Sequence, residues 1–237
     1  MIDIHSHILP KVDDGAQSFD DALEMLQMAA QDGVVSQVLT PHIQANRFNN
    51  NLKQLSKLFE VFCKIVESEN IAIKLHLAAE VHIGPEIMQM VETNSLPWLG
   101  TWHDQKCFLL ELPPNDIPAG SINLIHWLRG KQITPIIVHP ERNRAFQKNI
   151  SKLQAFLDTG CPIQITSSSL TGGFGKQAKK LAIELLENSK VELMATDCHN
   201  LKYRPPNLSK GINAAGKIIG YSQAESLAKP VALKLNN

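Results

Sequence analysis

The feature that most limits the fold of this chain is an alternation of apolar, strand-length segments with amphipathic, helix-length segments. Strands are predicted at residues 2–5, 34–40, 73–79, 106–112, 133–138, 162–166 and 191–196. Helices are predicted at about residues 19–32, 52–69, 121–130, 152–159, 176–188, 207–219 and 223–228. This order favours parallel strands joined by helices, arranged either as a barrel or as a doubly wound sheet. The chain shows no repeat, low-complexity tract or linker, so we expect a single α/β domain over residues 1–237.

Composition excludes several classes of protein. Hydrophobic residues make up 43% of the chain and charged residues 19%, which argues against a disordered protein. Lys plus Arg and Asp plus Glu both number 23, and this balance disfavours a general nucleic-acid binder. No apolar run approaches the roughly 18 residues of a membrane helix, so we expect no membrane insertion. The four cysteines form no CxxC pair, and the first residues lack the basic segment of a secretion signal. We therefore expect a cytoplasmic protein with reduced thiols.

Histidine and carboxylate side chains lie at or near the ends of the predicted strands. His5 and His7 are two residues apart on an extended chain, so both imidazoles point to the same face. The same spacing separates Asp197 and His199 after the last strand. The full set of candidate metal ligands is His5, His7, Asp14, His42, Glu80, Glu111, His139, Asp197 and His199. Because the ends of parallel strands converge on one rim of an α/β fold, we expect these side chains to form one site.

This set of donors is typical of a centre that holds more than one metal ion. Imidazoles and carboxylates in this number suit two or three divalent ions bridged by carboxylate and water, and the lack of thiolates favours zinc, manganese or iron. Such a centre keeps a net positive charge, which suits a phosphate ester that gains charge in its transition state. We expect a metal-bridging hydroxide to attack phosphorus in line. Either His42 or Asp14 is a candidate for protonating the leaving oxygen.

Arginines near the same rim are candidates for binding the phosphoryl oxygens. Arg142 lies three residues beyond His139, and Arg204 lies five residues beyond His199. Arg144 and Arg47 are weaker candidates for this role.

Cys198 and Arg204 also have the C-x5-R spacing of cysteine-dependent tyrosine phosphatases. No glycine lies between them to allow a tight phosphate-binding loop, and two prolines follow directly. We therefore expect Cys198 to take no part in the chemistry.

The order of the motifs along the chain resembles the PHP (polymerase and histidinol phosphatase) superfamily. The motifs are IDIHSHILP at residues 2–10, DDG at 13–15, TPH at 40–42, AEV at 79–81, HPER at 139–142 and TDCHN at 196–200. Within the superfamily, the chain is most similar to the bacterial CpsB/CapC type of manganese-dependent protein-tyrosine phosphatase. The resemblance implies a distorted seven-stranded (β/α) barrel and a trinuclear metal site. Manganese is then the expected metal, with zinc or iron as alternatives.

The resemblance also implies a substrate and a partner. The enzyme would remove phosphate from the phosphotyrosine tail of a membrane-associated tyrosine autokinase and so regulate capsular or exopolysaccharide synthesis. The alternative is a small-molecule phosphatase of the same superfamily, acting on histidinol phosphate. Metal-dependent hydrolysis of amides or esters is less favoured, because such sites often use a bridging lysine and no predicted strand here ends on one. A non-enzymatic metal-binding regulator would not need so many ligands together with two arginines.

Overall fold

The computed structural model describes residues 1–236. Within them the strands are β1 (Ile2–Asp3), β2 (Ser36–Leu39), β3 (His42–Ile43), β4 (Lys74–Leu77), β5 (Glu80–His82), β6 (Gly100–Trp102), β7 (Gln105–Glu111), β8 (Ile133–Val138), β9 (Ile163–Thr166), β10 (Leu193–Ala195) and β11 (Leu233–Leu235). The helices are α1 (Phe19–Gln31), α2 (Leu52–Ser68), α3 (Glu86–Glu92), α4 (Ser121–Gly130), α5 (Arg144–Lys148), α6 (Ser151–Leu157), α7 (Ser167–Thr171), α8 (Gly175–Glu187), α9 (Leu208–Ile219) and α10 (Tyr221–Ser226), with a 3-10 helix at Pro140–Arg142.

The strands form two sheets. The smaller sheet has the order β1-β2-β4, and both of its pairings are parallel. The larger sheet follows the path β10-β9-β8-β7-β5-β3 with parallel pairing throughout, as the strand–helix alternation predicted. β6 extends this sheet by pairing antiparallel with β7, and β11 pairs antiparallel with β6. Neither of these two short strands was predicted from the sequence.

The predicted seven-stranded barrel is wrong in one respect, because the strands of residues 1–236 do not form a closed barrel. The second predicted strand corresponds to β2 and ends before Pro41, which has no N–H to continue a ladder, but a further strand that was not predicted, β3, follows directly. The third predicted strand corresponds to β4 and is likewise followed by a strand that was not predicted, β5, so the chain leaves the smaller sheet and enters the larger one at both places. Beyond β1 and β10, an isolated bridge between Ser6 and Cys198 joins the two sheets. Asp197, with φ at +50°, turns the backbone away from a regular strand at this point.

The core lies between and around the two sheets. Strand side chains from both sheets, including Val38, Leu109, Ile136 and Leu193, form one buried apolar cluster, so the sheets enclose a shared interior. Other clusters pack the helices against the outer faces. Helix α1 begins as predicted at Ser18, whose side chain accepts a hydrogen bond from the backbone N–H of the third residue after it.

The remaining differences from the predicted elements lie in short helices. Helices α3, α5 and α7 have no more than seven residues each, too few for a clear helical pattern of apolar positions. None of the helices within residues 1–236 combines the length and apolar character needed to cross a membrane.

Candidate metal centre

The two sheets bring all nine predicted ligands into one network of contacts at their common rim. The structure arranges the donor atoms of eight of them in three groups, in each of which the atoms lie within 4.8 Å of one another. The groups are His5, His7, Glu80 and Asp197; His7, Asp14, His42 and His199; and His42, Glu80 and Glu111. His7, His42 and Glu80 each belong to two groups, so the three groups form one continuous cluster.

The first group is fully buried and has the geometry of ligands around a single ion. The Nε2 atoms of His5 and His7 lie 3.3 Å apart. Glu80 Oε2 lies 3.2 Å from both nitrogens. Asp197 Oδ1 lies 3.4 Å from the first and 3.2 Å from the second. Donors bound about 2.0–2.2 Å from one divalent ion lie roughly 2.8–3.6 Å from one another, which matches these spacings.

The second group lies closer to solvent. Asp14 Oδ1 is 3.5 Å from both His42 Nε2 and His199 Nε2. The Asp14 side chain is 44% exposed, whereas the imidazoles are largely buried. Beside it, Arg47 lies 3.5 Å from the other Asp14 oxygen and is 61% exposed. This group therefore forms the mouth of the cluster.

Glu111 and His139 flank the cluster on the side of the larger sheet. Glu111 Oε2 lies 3.7 Å from His42 Nδ1, and this nitrogen is also 3.0 Å from Glu80 Oε2. His139 Nε2 lies 2.6 Å from the other Glu80 oxygen, Oε1, and falls outside the three groups. His139 has a φ of +36°, an uncommon value for a residue with a side chain, and this backbone turn directs the chain into the 3-10 helix.

Two residues that are not among the predicted ligands hold the imidazoles of His5 and His7 in place. His5 Nδ1 lies 2.9 Å from Gln164 Oε1, and His7 Nδ1 lies 2.7 Å from Asp13 Oδ2. With Nδ1 donating its proton in each case, Nε2 is left with its lone pair facing the cluster. Gln164 is a single amide within the buried strand β9. An amide in a buried strand is the feature of the sequence that could have indicated a role for this residue at the site. Asp13 stands next to Asp14 in the same motif, and only three-dimensional geometry separates their roles.

A buried carboxylate outside the cluster ties the two strand ends together. Asp3 Oδ1 accepts a hydrogen bond from the Thr196 N–H at 3.0 Å, and its Oδ2 accepts from the Thr196 hydroxyl at 2.5 Å. Asp3 precedes His5 by two residues, and Thr196 directly precedes Asp197. This contact therefore fixes the distance between ligands supplied by the first and the last predicted strands.

Electrostatics at the cluster favour a bound cation. Burial opposes ionisation of Glu80, but His5, His42 and His139 hold the pKa of its carboxyl well below the ordinary value. Burial and the neighbouring Glu80 carboxylate raise the pKa of Glu111 to about 8. Without a cation Glu111 is therefore mostly protonated at neutral pH, and binding of a metal ion there releases its proton.

Two of the imidazoles are kept neutral. Burial and the nearby Arg142 lower the pKa of His139 to about 4. Burial and His7 lower the pKa of His199 to about 4. A neutral imidazole has a lone pair available for a metal, so these rings are in the protonation state that a ligand needs.

Unpartnered buried atoms show that the residues fit divalent metal ions. Glu80 Oε2, Asp197 Oδ1 and His42 Nδ1 are buried and, despite their close contacts within the cluster, form no hydrogen bond of regular geometry within the described part of the chain. A buried polar atom of this kind lowers the stability of the fold unless a hydrogen bond or a metal ion satisfies it. All three belong to the donor groups above, and imidazole and carboxylate together suit manganese, iron or zinc.

Two arginines line the same cluster. Arg142 Nη1 and Arg204 Nη2 both donate to Asp197 Oδ2, the second at 2.5 Å. Each guanidinium is about one-quarter exposed, and both line the cavity at the mouth of the cluster. Asn200 closes the loop that carries Arg204 by accepting hydrogen bonds from three backbone N–H groups. The arrangement therefore places two cations beside a buried set of metal ligands.

Comparison with known proteins identifies the family. The family model described as "Capsular polysaccharide synthesis, CpsB/CapC" matches residues 1–235. The chain belongs to the CpsB/CapC family.

Individual relatives of this CpsB/CapC chain match it over nearly their whole length. It is 33% identical to the tyrosine-protein phosphatase YwqE of Bacillus subtilis and 31% identical to the putative tyrosine-protein phosphatase CapC of Staphylococcus aureus. Both matches cover 100% of this chain and 92% of the relative. A solved structure from work on YwqE of B. subtilis and CpsB of Streptococcus pneumoniae, described as unique metal-dependent tyrosine phosphatases, superposes with a TM-score of 0.88 at 31% identity. It covers 100% of this chain and 97% of the solved one.

In this CpsB/CapC chain, Cys198 lies in the core rather than in a phosphate-binding loop. It is fully buried and packs with Ile8 and Leu9, and burial raises the pKa of its thiol far above neutrality. We therefore expect Cys198→Ser to keep phosphatase activity within about threefold of the unmodified protein, with a modest loss of stability from the buried hydroxyl. Initial rates with a phosphotyrosyl peptide test this expectation. Complete loss of turnover with metal content unchanged would contradict it.

Proposed function

We propose that this chain is a metal-dependent protein-tyrosine phosphatase that acts on a bacterial tyrosine autokinase and thereby regulates capsular or exopolysaccharide synthesis. The observation that carries the proposal is the buried cluster of His and carboxylate donors with Arg142 and Arg204 beside it. The tyrosine-protein phosphatases named among its relatives support this function over hydrolysis of histidinol phosphate. The phosphatase domain is proposed to extend over residues 1–237, of which Asn237 lies outside the described residues.

All nine predicted ligands are proposed to hold two or three divalent ions, with manganese as the first candidate and zinc or iron as the alternatives. The fully buried group of His5, His7, Glu80 and Asp197 would hold one ion, and the groups that share His42 would hold the others. When bound, such ions polarise phosphoryl oxygens and lower the pKa of a bound water to about 7, which provides a nucleophile at neutral pH.

Arg142 and Arg204 are proposed to bind the phosphoryl oxygens of the substrate. Each guanidinium has several N–H donors in a planar fork, and Asp197 uses only part of them. The remaining donors are available to a tetrahedral anion in the cavity that both side chains line. Asp197 keeps the two guanidinium groups close together and fixed before the substrate arrives.

The leaving group of the proposed reaction is the phenolic oxygen of tyrosine. Hydrolysis breaks its bond to phosphorus, consumes one water and releases tyrosine and inorganic phosphate. The ordinary pKa of the phenol is about 10, so this oxygen leaves more readily than that of an alkyl ester and needs less help from an acid. His42 and Asp14 remain the two candidates for the acid, and both line the mouth of the cluster.

The partner is proposed to be the phosphotyrosine-bearing tail of a membrane-associated kinase, met on its cytoplasmic side. An extended peptide tail needs a site that opens directly to solvent. The exposed side chains of Asp14 and Arg47 at the mouth of the cluster support such access.

Removal of the metal tests this function. We expect dialysis against a chelator to abolish phosphate release from a phosphotyrosyl peptide, and added Mn²⁺ to restore it. We also expect metal at 100 times its dissociation constant to stabilise the fold by about 2.7 kcal/mol, which corresponds to a rise in Tm of roughly 5–10 °C. Calorimetry and a phosphate assay measure the two effects. Full turnover in the metal-free protein would contradict the proposal.

A further inference from the structure

A second cavity adjoins the proposed metal centre. It has a volume of about 240 Å³ and shares Glu111, Pro114, His139 and Arg142 with the cavity at the mouth of the cluster. Leu112 and Phe174 contribute to its apolar wall, and much of the rest of its lining is polar. An apolar cavity of about 150 Å³ is large enough to bind benzene in another protein, so this volume admits one phenyl ring.

Phe174 connects this cavity with the two arginines. Its ring centroid lies 4.2 Å from the guanidinium carbon of Arg142 and 5.5 Å from that of Arg204. Both distances fall within the range of a cation–π contact. Phe174 is half-buried, so one part of its surface packs on the arginines and another part remains open. A group attached to a phosphoryl oxygen that Arg142 binds would therefore lie beside the Phe174 ring.

Backbone geometry and hydrogen bonds to a buried carboxylate fix the segment that carries Phe174. Gly172 and Gly175 have φ values of +93° and +86°, which a residue with a side chain rarely adopts. The preceding helix α7 is anchored by the buried Glu141, whose Oε1 accepts hydrogen bonds from the Ser169 hydroxyl at 2.7 Å and the Thr166 N–H at 2.9 Å. Glu141 directly precedes Arg142, so one turn of chain positions both the arginine and the base of the Phe174 segment.

We propose that this cavity is the subsite for the aromatic ring of the substrate and that Phe174 is a specificity-determining residue for aryl over alkyl phosphate esters. This inference rests on the proposed function and adds a location for the leaving group. An aromatic ring placed there contacts Phe174 in the offset or edge-to-face arrangements that aromatic pairs prefer. The short alkyl side chain of phosphoserine gains little from the Phe174 ring, because it has little apolar area to bury against it.

The test compares Phe174→Leu with the unmodified protein, both loaded with Mn²⁺. Leucine keeps an apolar side chain of similar bulk, so the fold is retained while the aromatic face is lost. The probes are phenylphosphonate and inorganic phosphate, used as competitive inhibitors of the hydrolysis of a phosphotyrosyl peptide. We expect the inhibition constant of phenylphosphonate to rise about 10-fold and that of inorganic phosphate to change less than about twofold. Phe174→Trp restores an aromatic face. It should return the inhibition constant of phenylphosphonate most of the way to that of the unmodified protein.

Met88→Ala is the matched control, because Met88 lines an apolar cavity away from the metal cluster. We expect both inhibition constants to stay unchanged in this variant. A parallel rise of both constants in Phe174→Leu would show that Phe174 acts only through the arginines and would overturn the subsite. Unchanged constants would overturn it as well. Failure of the unmodified protein to hydrolyse the peptide contradicts the proposed function itself, and this outcome is distinct from loss of selectivity in the variant.

Discussion

Glu80→Gln is expected to lower kcat/KM for a phosphotyrosyl peptide at least about 10³-fold and to release bound metal. Glu80 is 1% exposed and contacts four imidazoles, which are His5, His7, His42 and His139. Its Oε2 contacts the imidazoles of both donor groups to which Glu80 belongs, and its Oε1 contacts His139. Glutamine has the same shape but no charge, so the variant tests the loss of a ligand without opening a cavity.

Metal content by elemental analysis and far-UV circular dichroism complete this experiment. We expect His5→Ala to lose activity and bound metal as Glu80→Gln does, since His5 belongs to the same buried group. Glu187→Gln and His126→Ala are matched controls on exposed helical positions, and both should keep full activity and metal content. Unchanged turnover in Glu80→Gln and His5→Ala would contradict the metal centre.

Arg142→Ala is expected to lower kcat/KM about 10²–10³-fold while the bound metal is retained. Loss of a single donor to charge that develops in a transition state has an effect of this size. Arg142 contacts Asp197 Oδ2, whereas Asp197 Oδ1 faces the imidazoles, so removal of the guanidinium leaves the metal-facing oxygen in place. We expect the inhibition constant of inorganic phosphate to rise in the same variant.

Arg204→Ala should behave in the same way, because Arg204 shares the Asp197 oxygen. Arg47→Ala provides the comparison. The Arg47 side chain is 61% exposed, and its guanidinium pairs with Asp14 at 3.5 Å. An exposed ion pair of this kind contributes little free energy. We expect kcat/KM in Arg47→Ala to change less than about fivefold. Normal kinetics in Arg142→Ala and Arg204→Ala would remove both arginines from the phosphate site.

The strand pattern predicted the location of the site because local geometry determines it. The two-residue spacing of His5 and His7 puts both rings on one face, and their Nε2 atoms lie 3.3 Å apart. The parallel ladder brings Glu80 and His42 side by side, since β5 pairs with β3 in that register. The first relation follows from the periodicity of the chain. The second follows from the parallel order of the strands, although β3 and β5 themselves lie beyond the predicted strands.

Other features depend on long-range packing and were not predictable in this way. The hydrogen bond from His5 to Gln164 joins residues 159 positions apart, and no local pattern specifies it. The contact of Phe174 with two arginines depends on α7, which is too short to show a helical period. The short strands β3 and β5 and the bridge at Ser6 were likewise not predictable, because they depend on how two sheets meet rather than on any one strand.

The most direct test of the central claim is phosphate release by the Mn²⁺-loaded protein from a phosphotyrosyl peptide and from histidinol phosphate, measured side by side. A metal cluster that opens to solvent and adjoins a cavity with Phe174 in its wall predicts a higher kcat/KM for the peptide by at least about 10-fold. Preference for histidinol phosphate would contradict the proposed function and leave the metal centre with a different substrate.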